Sequence, residues 1–348
     1  MWRLESECRC KILFMKIVIV KLSALGDIVN AMIVLQFIKK YNSKIEIDWV
    51  VEESYKELLV NHPSINKVHT VNLKQAKKEK SLSMFIKEVK KIRNFDKFDL
   101  VIDMQGLVKS AFVSRIISSG KTIGFHRSSS REGISSIFYS HTFKIDYKEN
   151  IILRNLSLIA NSLNFIPKKE NIQNKESFLY SSKKYFFSEL SRSMKNIILI
   201  PGASHPSKCY PIENFSYIVE YLDANFTIIW GNDNEKEMAD KIKNLCPSVN
   251  VAKKMSLDEL ISLIQQSDLV IGPDTGPTHM SWALNVPSIT LFGSTPGYRN
   301  AYKTEINKIL ESDSIVNPLK INKNDYSIAN IDAAEIVKIS NTLLKLNK

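Results

Sequence analysis

Residues 269–280 read L-V-I-G-P-D-T-G-P-T-H-M. Leu269, Val270 and Ile271 form a short apolar run, the mark of a buried parallel strand. Gly272 and Pro273 stop it. Pro277 suits the first turn of a helix, where its missing N–H costs nothing. The M-S-W-A-L segment at 280–284 continues that helix. Strand, tight turn and helix N-terminus therefore follow one another directly. Such a junction presents unpaired N–H groups and a partial positive charge, which suits a phosphate. Thr275 and Thr278 add hydroxyl donors, and Gly276 lets a ligand approach the backbone. An ordinary α/β turn capped by Asp274 or Thr275 would read the same way, so this stretch alone leaves both meanings open.

The pattern recurs on either side. Upstream, N-I-I-L-I at 196–200 is a strand that meets the loop P-G-A-S-H-P-S-K-C-Y-P at 201–211. A helix over 212–223, a strand over 226–230, the turn G-N-D-N and a helix over 235–245 follow. A short strand at 249–251 and a helix at 257–266 lead into the opening stretch. Downstream, V-P-S-I-T-L-F at 286–292 is one more strand, ending in Gly293-Ser294-Thr295-Pro296. An amphipathic helix is expected over 331–348, with the option of packing back on the N-terminal half.

The first half has the same rhythm. K-I-V-I-V-K at 16–21 is a buried strand, and L-S-A-L-G-D at 22–27 joins it to a helix over 28–40. Gly26 and Asp27 thus sit at a strand-to-helix junction, where open parallel sheets place their ligands. As a helix cap Asp27 would only accept backbone N–H bonds; as a base it would face a ligand. The pattern G-x-G-x-x-G is absent, which argues against a dinucleotide site here. The alternating stretch 44–51 and the segments 68–71, 98–103 and 123–125 are further strands, with a helix over 52–60 and another over 108–118. Residues 74–93 form a basic helical stretch with eight Lys or Arg against two Glu. It reads as a solvated face or as a contact with anionic lipid. After the strand at 123–125 comes H-R-S-S-S-R-E, whose Arg127 and Arg131 suit a carboxylate or phosphate. A polar stretch around 164–176 marks the domain boundary. Two doubly wound α/β domains are expected, 15–170 and 171–330, facing each other across a cleft.

At 348 residues the chain is long enough for two cores. Its net charge of +12 favours an acidic partner. No nucleic-acid-binding motif appears, so nucleic acid is not an expected partner. The four cysteines, Cys8, Cys10, Cys209 and Cys246, form no pair of zinc-ligand motifs and fit a reducing cytoplasm. No apolar run is long enough to span a membrane. Residues 1–14 are too short and too charged for a secretory signal. The fold is expected to start near Met15, after a non-native or disordered extension.

These motifs resemble the GT-B glycosyltransferases, and more narrowly the ADP-heptose:lipopolysaccharide heptosyltransferases of glycosyltransferase family 9. The markers are K-L-S-A-L-G-D at 21–27, D-M-Q-G-L-V-K-S-A at 103–111, G-F-H-R-S-S-S-R-E at 124–132, W-G-N-D-N-E at 230–235 and G-P-D-T-G-P-T-H-M at 272–280. The second and third resemble the enzymes that add the first heptose. The resemblance implies ADP-L-glycero-β-D-manno-heptose as donor, Kdo–lipid A as acceptor, inversion at the anomeric carbon, and no cofactor or metal. It implies a place at the cytoplasmic face of the inner membrane, in peripheral contact with its anionic surface.

Residue by residue, the resemblance makes Asp27 the base that takes the acceptor proton. It assigns Lys208 and the start of the helix at Thr275, Gly276, Pro277 and Thr278 to the charge growing on the departing ADP. Ser204 would assist. Glu235 would bind the ribose, Asp274 the heptose hydroxyls, and His279 would orient the sugar or a phosphate. Ser23, Gly26, Gln105, Lys109, Arg127 and Arg131 would meet the acceptor. Two other functions remain in view: a later heptosyltransferase acting on an already heptosylated core, and a non-catalytic nucleotide-sugar-binding protein.

Overall fold

The computed structural model describes residues 15–168 and 170–346. The expected extension at 1–14, with Cys8 and Cys10, lies outside the described residues. The chain divides into two compact units between Phe178 and Leu179. This is a little later than the boundary expected at 170.

The first unit is built on a six-stranded sheet: β1 Lys16–Val20, β2 Glu46–Glu52, β3 Lys67–Val71, β4 Phe98–Asp103, β5 Ser119–Phe125 and β6 His141–Phe143. Its order is β3-β2-β1-β4-β5-β6, and every pairing is parallel. The second unit repeats the plan with β7 Asn196–Leu199, β8 Asn225–Ile228, β9 Asn250–Val251, β10 Leu269–Pro273, β11 Ser288–Phe292 and β12 Asn307–Glu311. Its order is β12-β11-β10-β7-β8-β9. In each unit the strand order reverses beside the first strand, between β1 and β4 and between β7 and β10. Ligands of doubly wound sheets bind beyond the strand carboxyl ends at that reversal.

Central strands are covered on both faces, so they bury every side chain. Ile17 to Val20 of β1 and Leu269 to Ile271 of β10 are fully buried. The same reason changes the meaning of β2, whose alternating pattern suggested one wet face. Asp48 is fully buried and meets His69 of β3 at 2.7 Å and the Asn66 amide at 3.0 Å. The helix expected over 28–40 is two helices, Leu25–Met32 and Val34–Tyr41. The basic stretch is also split, into Leu73–Lys78 and Leu82–Arg93, at Lys80 with φ of 50°. The segment expected as a helix over 52–60 is a 3-10 turn, Glu53–Leu58. Strands β6 and β12 lack a strong apolar run and were not expected.

The terminal helix Ala333–Leu346 packs on the second unit. Ile336 and Leu343, two turns apart, lie on one face of the helix and join its core with Ile218, Ile271 and Ile289. The Tyr210 hydroxyl, donating to the Ile331 carbonyl at 2.6 Å, fixes the approach.

Candidate active site

In the second unit the strand reversal brings the loop after β7 against the loop after β10. Ile271 of β10 lies beside Leu199, the last residue of β7, so β10 runs two residues further, to Pro273, before its loop begins. Beyond β7 the chain makes a 3-10 turn, Pro206–Lys208, capped by His205. This turn delivers Lys208 to Asp274. The Lys208 ammonium donates to Asp274 Oδ2 at 2.8 Å. Both residues are less than a tenth exposed.

Asp274 is the hub of this cluster. His279, one turn into the helix Gly276–Ala283, meets its Oδ1 through Nε2 at 3.0 Å. Thr295 Oγ1 and Asn300 Nδ2 donate to Oδ2 at 2.9 and 3.2 Å. Burial alone would push the Asp274 carboxyl up. The Lys208 ammonium and the His279 ring outweigh it and hold the group well below the usual carboxylate range. Asp274 thus stays an anion and spends both oxygens inside the protein.

The helix start beside it is tightly built. The Thr278 hydroxyl lies 2.9 Å from the Pro273 carbonyl and 2.7 Å from that of Thr275, and so serves the turn itself. Thr275 and Pro277 are partly exposed, and Gly276 is buried. Ser204 is exposed in the loop after β7. Glu235 lies near the start of the helix Asp233–Leu245, capped by Asn232. Its Oε2 accepts the Gly231 N–H and its Oε1 accepts the Asn232 amide, both at 2.7 Å. A Cβ on Gly202 would come within 2.2 Å of Glu235 Cγ, so only glycine lets the two loops close on each other. Glu235 keeps unused lone pairs for a further donor.

In the first unit the reversal joins the loops after β1 and β4. Gln105 Oε1 accepts the N–H groups of Leu22 and Ser23 at 2.7 and 3.2 Å, and its Nε2 donates to Ser23 Oγ at 3.3 Å. Gln105 is in turn held by Asp103, whose Oδ1 accepts the Gln105 and Gly106 N–H groups at 2.8 and 3.1 Å. The Tyr139 hydroxyl donates to Asp103 Oδ2 at 2.7 Å. Burial pushes the Asp103 carboxyl up, against the pull of these bonds. Gly106 has φ of 69°, a conformation natural to glycine.

The loop after β1 carries Gly26 and Asp27 into the helix Leu25–Met32. The cap is Ala24, and Asp27 stands in the first turn, its Oδ2 accepting the Ala24 N–H at 3.4 Å. That is a long bond, and the carboxylate is exposed. Burial and the carboxylates of Glu52 and Asp27 push the Tyr55 hydroxyl up, so Tyr55 stays neutral beside Asp27.

Lys109 is exposed and paired with buried Glu52. Arg127 and Arg131 are exposed and form no ion pair with any described residue. Their loop is anchored from beneath. Buried Arg154 donates to the Ser129 carbonyl at 2.7 Å and lies 4.6 Å from the Phe125 ring. Glu132 Oε2 accepts the Val108 N–H at 2.8 Å, tying the loop to the start of the preceding helix, Val108–Ile116. Among the described residues no group of His, Cys, Asp and Glu is placed to hold a metal ion.

Each unit thus presents polar loops at its strand reversal. The model of glycosyltransferase family 9 (heptosyltransferase) matches residues 86–321. The chain belongs to that family. The lipopolysaccharide heptosyltransferase 1 of Campylobacter coli is 40% identical over 340 residues, which cover 93% of this chain and 98% of the relative. That of Escherichia coli K12 is 28% identical, covering 83% and 91%. The solved structure of the E. coli heptosyltransferase WaaC with ADP superposes with a TM-score of 0.77 at 22% identity, covering 94% of this chain and 100% of that one. A family 9 glycosyltransferase from Veillonella parvula gives a TM-score of 0.80 at 20% identity. The fold of this family 9 glycosyltransferase is therefore of the GT-B class, as the motifs implied.

Sequence reasoning brought Lys208, Asp274 and His279 into one site, and they touch. It missed Thr295 and Asn300, which complete the shell of Asp274, and Asp103 and Tyr139, which stand behind Gln105. The signal for Thr295 was present: G-S-T-P ends a strand, as the other loops of this family 9 enzyme do. Asn300 and Tyr139 carry no such signal, because only the fold brings them near.

Proposed function

We propose that this glycosyltransferase moves L-glycero-D-manno-heptose from ADP-heptose to the Kdo of Kdo–lipid A, with inversion, in building the lipopolysaccharide inner core. The observation that carries the donor side is the Lys208–Asp274–His279 cluster beside the helix start at Gly276. Asp274 holds the Lys208 ammonium by one bond, which leaves its other N–H groups for the diphosphate. As the bond from the anomeric carbon to the β-phosphate oxygen breaks, the ADP keeps the electron pair. Lys208 and the helix N-terminus then lie where that charge develops, and the reading needs no metal or cofactor. Asp274 acts as a positioning residue in this scheme, while Glu235 and Ser204 meet the nucleotide.

The first unit supplies the acceptor chemistry. The exposed Asp27 carboxylate takes the proton of the acceptor hydroxyl as its oxygen attacks the anomeric carbon. Arg127 and Arg131, which form no ion pair with a described residue, meet the Kdo carboxylate or the lipid A phosphates. Gln105 holds the Ser23 to Asp27 loop, and Lys109 borders it. Among the described residues no helix is long and apolar enough to cross a membrane. With a lipid acceptor, the proposed reaction places the enzyme peripherally, on the cytoplasmic face of the inner membrane.

The test is transfer by the purified chain from ADP-heptose, without added metal, to Kdo–lipid A and to the same lipid already carrying one heptose. ADP release and a heptose mass increment on the Kdo acceptor alone are expected. Transfer only to the heptosylated lipid would mark a later step. Donor binding with no transfer to either would mark a non-catalytic nucleotide-sugar binder.

A further inference from the structure

The first unit is apolar as well as basic along one run of surface. In the helix Leu82–Arg93, Leu82 is 71% exposed, Ile86 46% and Phe85 38%. The Phe85 ring stacks on Phe112, 5.9 Å away in the helix Val108–Ile116, whose first residue is also exposed. That helix packs on the 3-10 turn Gly133–Phe138, in which Ile134 and Ile137 are 63% and 72% exposed. Six exposed apolar side chains therefore sit on three elements packed side by side. Soluble monomers rarely expose so many together without a partner.

The cations beside them are unspent. Lys74, Lys77, Lys78 and Lys80 precede the first helix, and Lys87 and Lys90 lie along it. None forms an ion pair with a described residue. The two acids of the stretch are used locally: Glu79 accepts the Gln75 amide, and Glu88 accepts the Asn72 N–H at 2.9 Å. Helices after parallel strands begin at the carboxyl edge of the sheet. Leu82, Phe85, Ile86 and Val108 are therefore at the same edge as Asp27 and Arg127.

We propose that this run is a membrane-docking platform. Leu82, Phe85 and Ile86, with Val108, Ile134 and Ile137, enter the boundary between headgroups and acyl chains, and the lysines pair with anionic lipid phosphates. Apolar insertion goes beyond electrostatic attraction alone. The inference rests on the acceptor being a lipid, and it explains how the first unit keeps its acceptor loops at the bilayer surface.

The test is cosedimentation of the full chain with vesicles of phosphatidylethanolamine and phosphatidylglycerol, against phosphatidylcholine vesicles. Binding to the anionic vesicles only is expected, weakened but not abolished by high salt. The double variant L82S/I86S should lose about tenfold in affinity, and the tryptophan emission of the variant L82W should shift to the blue on binding. Unchanged affinity of the double variant, or an unmoved emission from bound L82W, would overturn the proposal. So would a concentration-dependent dimer that the double variant abolishes, which would give the surface to a second copy of the chain. Transfer to detergent-dispersed Kdo–lipid A is measured in parallel and should be unaffected in L82S/I86S. Failure of that transfer in the unaltered chain would count against the acceptor assignment and leave the vesicle result standing.

Discussion

The Lys208 ammonium lies 2.8 Å from Asp274 Oδ2, with both side chains about nine-tenths buried. This contact joins the loops after β7 and β10, and it couples stability to the proposed chemistry. Breaking a buried pair leaves an uncompensated charge, which costs about 3 kcal/mol.

Lys208→Met is therefore expected to lower both stability and turnover. Loss of positive charge at the leaving phosphate should reduce kcat by about a hundredfold or more, read as ADP release. Thermal unfolding of K208M, D274N and the double variant would show coupling, with the double variant more stable than the sum of the single changes implies. Because the Asp274 pKa is depressed in the folded chain, its contribution is fully present above the ordinary carboxylate pKa. It is lost only as pH falls through the folded value, below that range. D274N should remove this acid tolerance.

Asp27 and Gln105 act on the same loop in different ways. Asp27→Asn should cut kcat by about a hundredfold or more, with donor KM little changed and stability within about 0.5 kcal/mol, since the side chain is exposed. Gln105→Ala releases the Leu22 and Ser23 N–H groups. It should lower kcat by about tenfold through misplacement of Asp27. Gln105→Glu, which keeps the two acceptor bonds, should recover part of that loss.

Arg127 and Arg131 contribute no internal ion pair among the described residues. Arg127→Ala and Arg131→Ala should leave the melting temperature within a degree or so of the parent, about 0.5 kcal/mol or less. The KM for Kdo–lipid A should rise about tenfold for each, with that for ADP-heptose unchanged. Steady-state kinetics with each substrate varied in turn distinguishes this from general damage.

His62 sets a pH window for stability. Burial pushes its pKa down to about 4 from 6.5, so the folded chain holds it neutral while the unfolded chain protonates it. The unfolded state then binds more protons between these values, and stability falls as pH drops from 6.5 towards 4, by up to about 3 kcal/mol. His62→Gln should flatten that part of the stability-against-pH curve, measured by urea unfolding across the window.

The sequence by itself determined the two doubly wound halves, since continuous β-branched runs such as 16–21 and 269–271 belong only in sheets covered on both faces. It also determined which loops matter. Gly26, Gly106, Gly202 and Gly276 punctuate strand ends, and the polar residues beside them have no place in a core. Short strands such as β6 and β12 were not legible, because their pairing depends on neighbours already in place. Nor was the burial of Asp48, because an alternating pattern cannot say that a second layer and His69 await its carboxylate. Tertiary structure alone decided that Thr295 and Asn300 converge on Asp274 and that Tyr139 stands behind Gln105 through Asp103. Those contacts join residues far apart along the chain, brought together by strand order, a property no local spacing encodes. It also decided that the C-terminal helix packs on the second unit, where Ile336 and Leu343 find apolar partners.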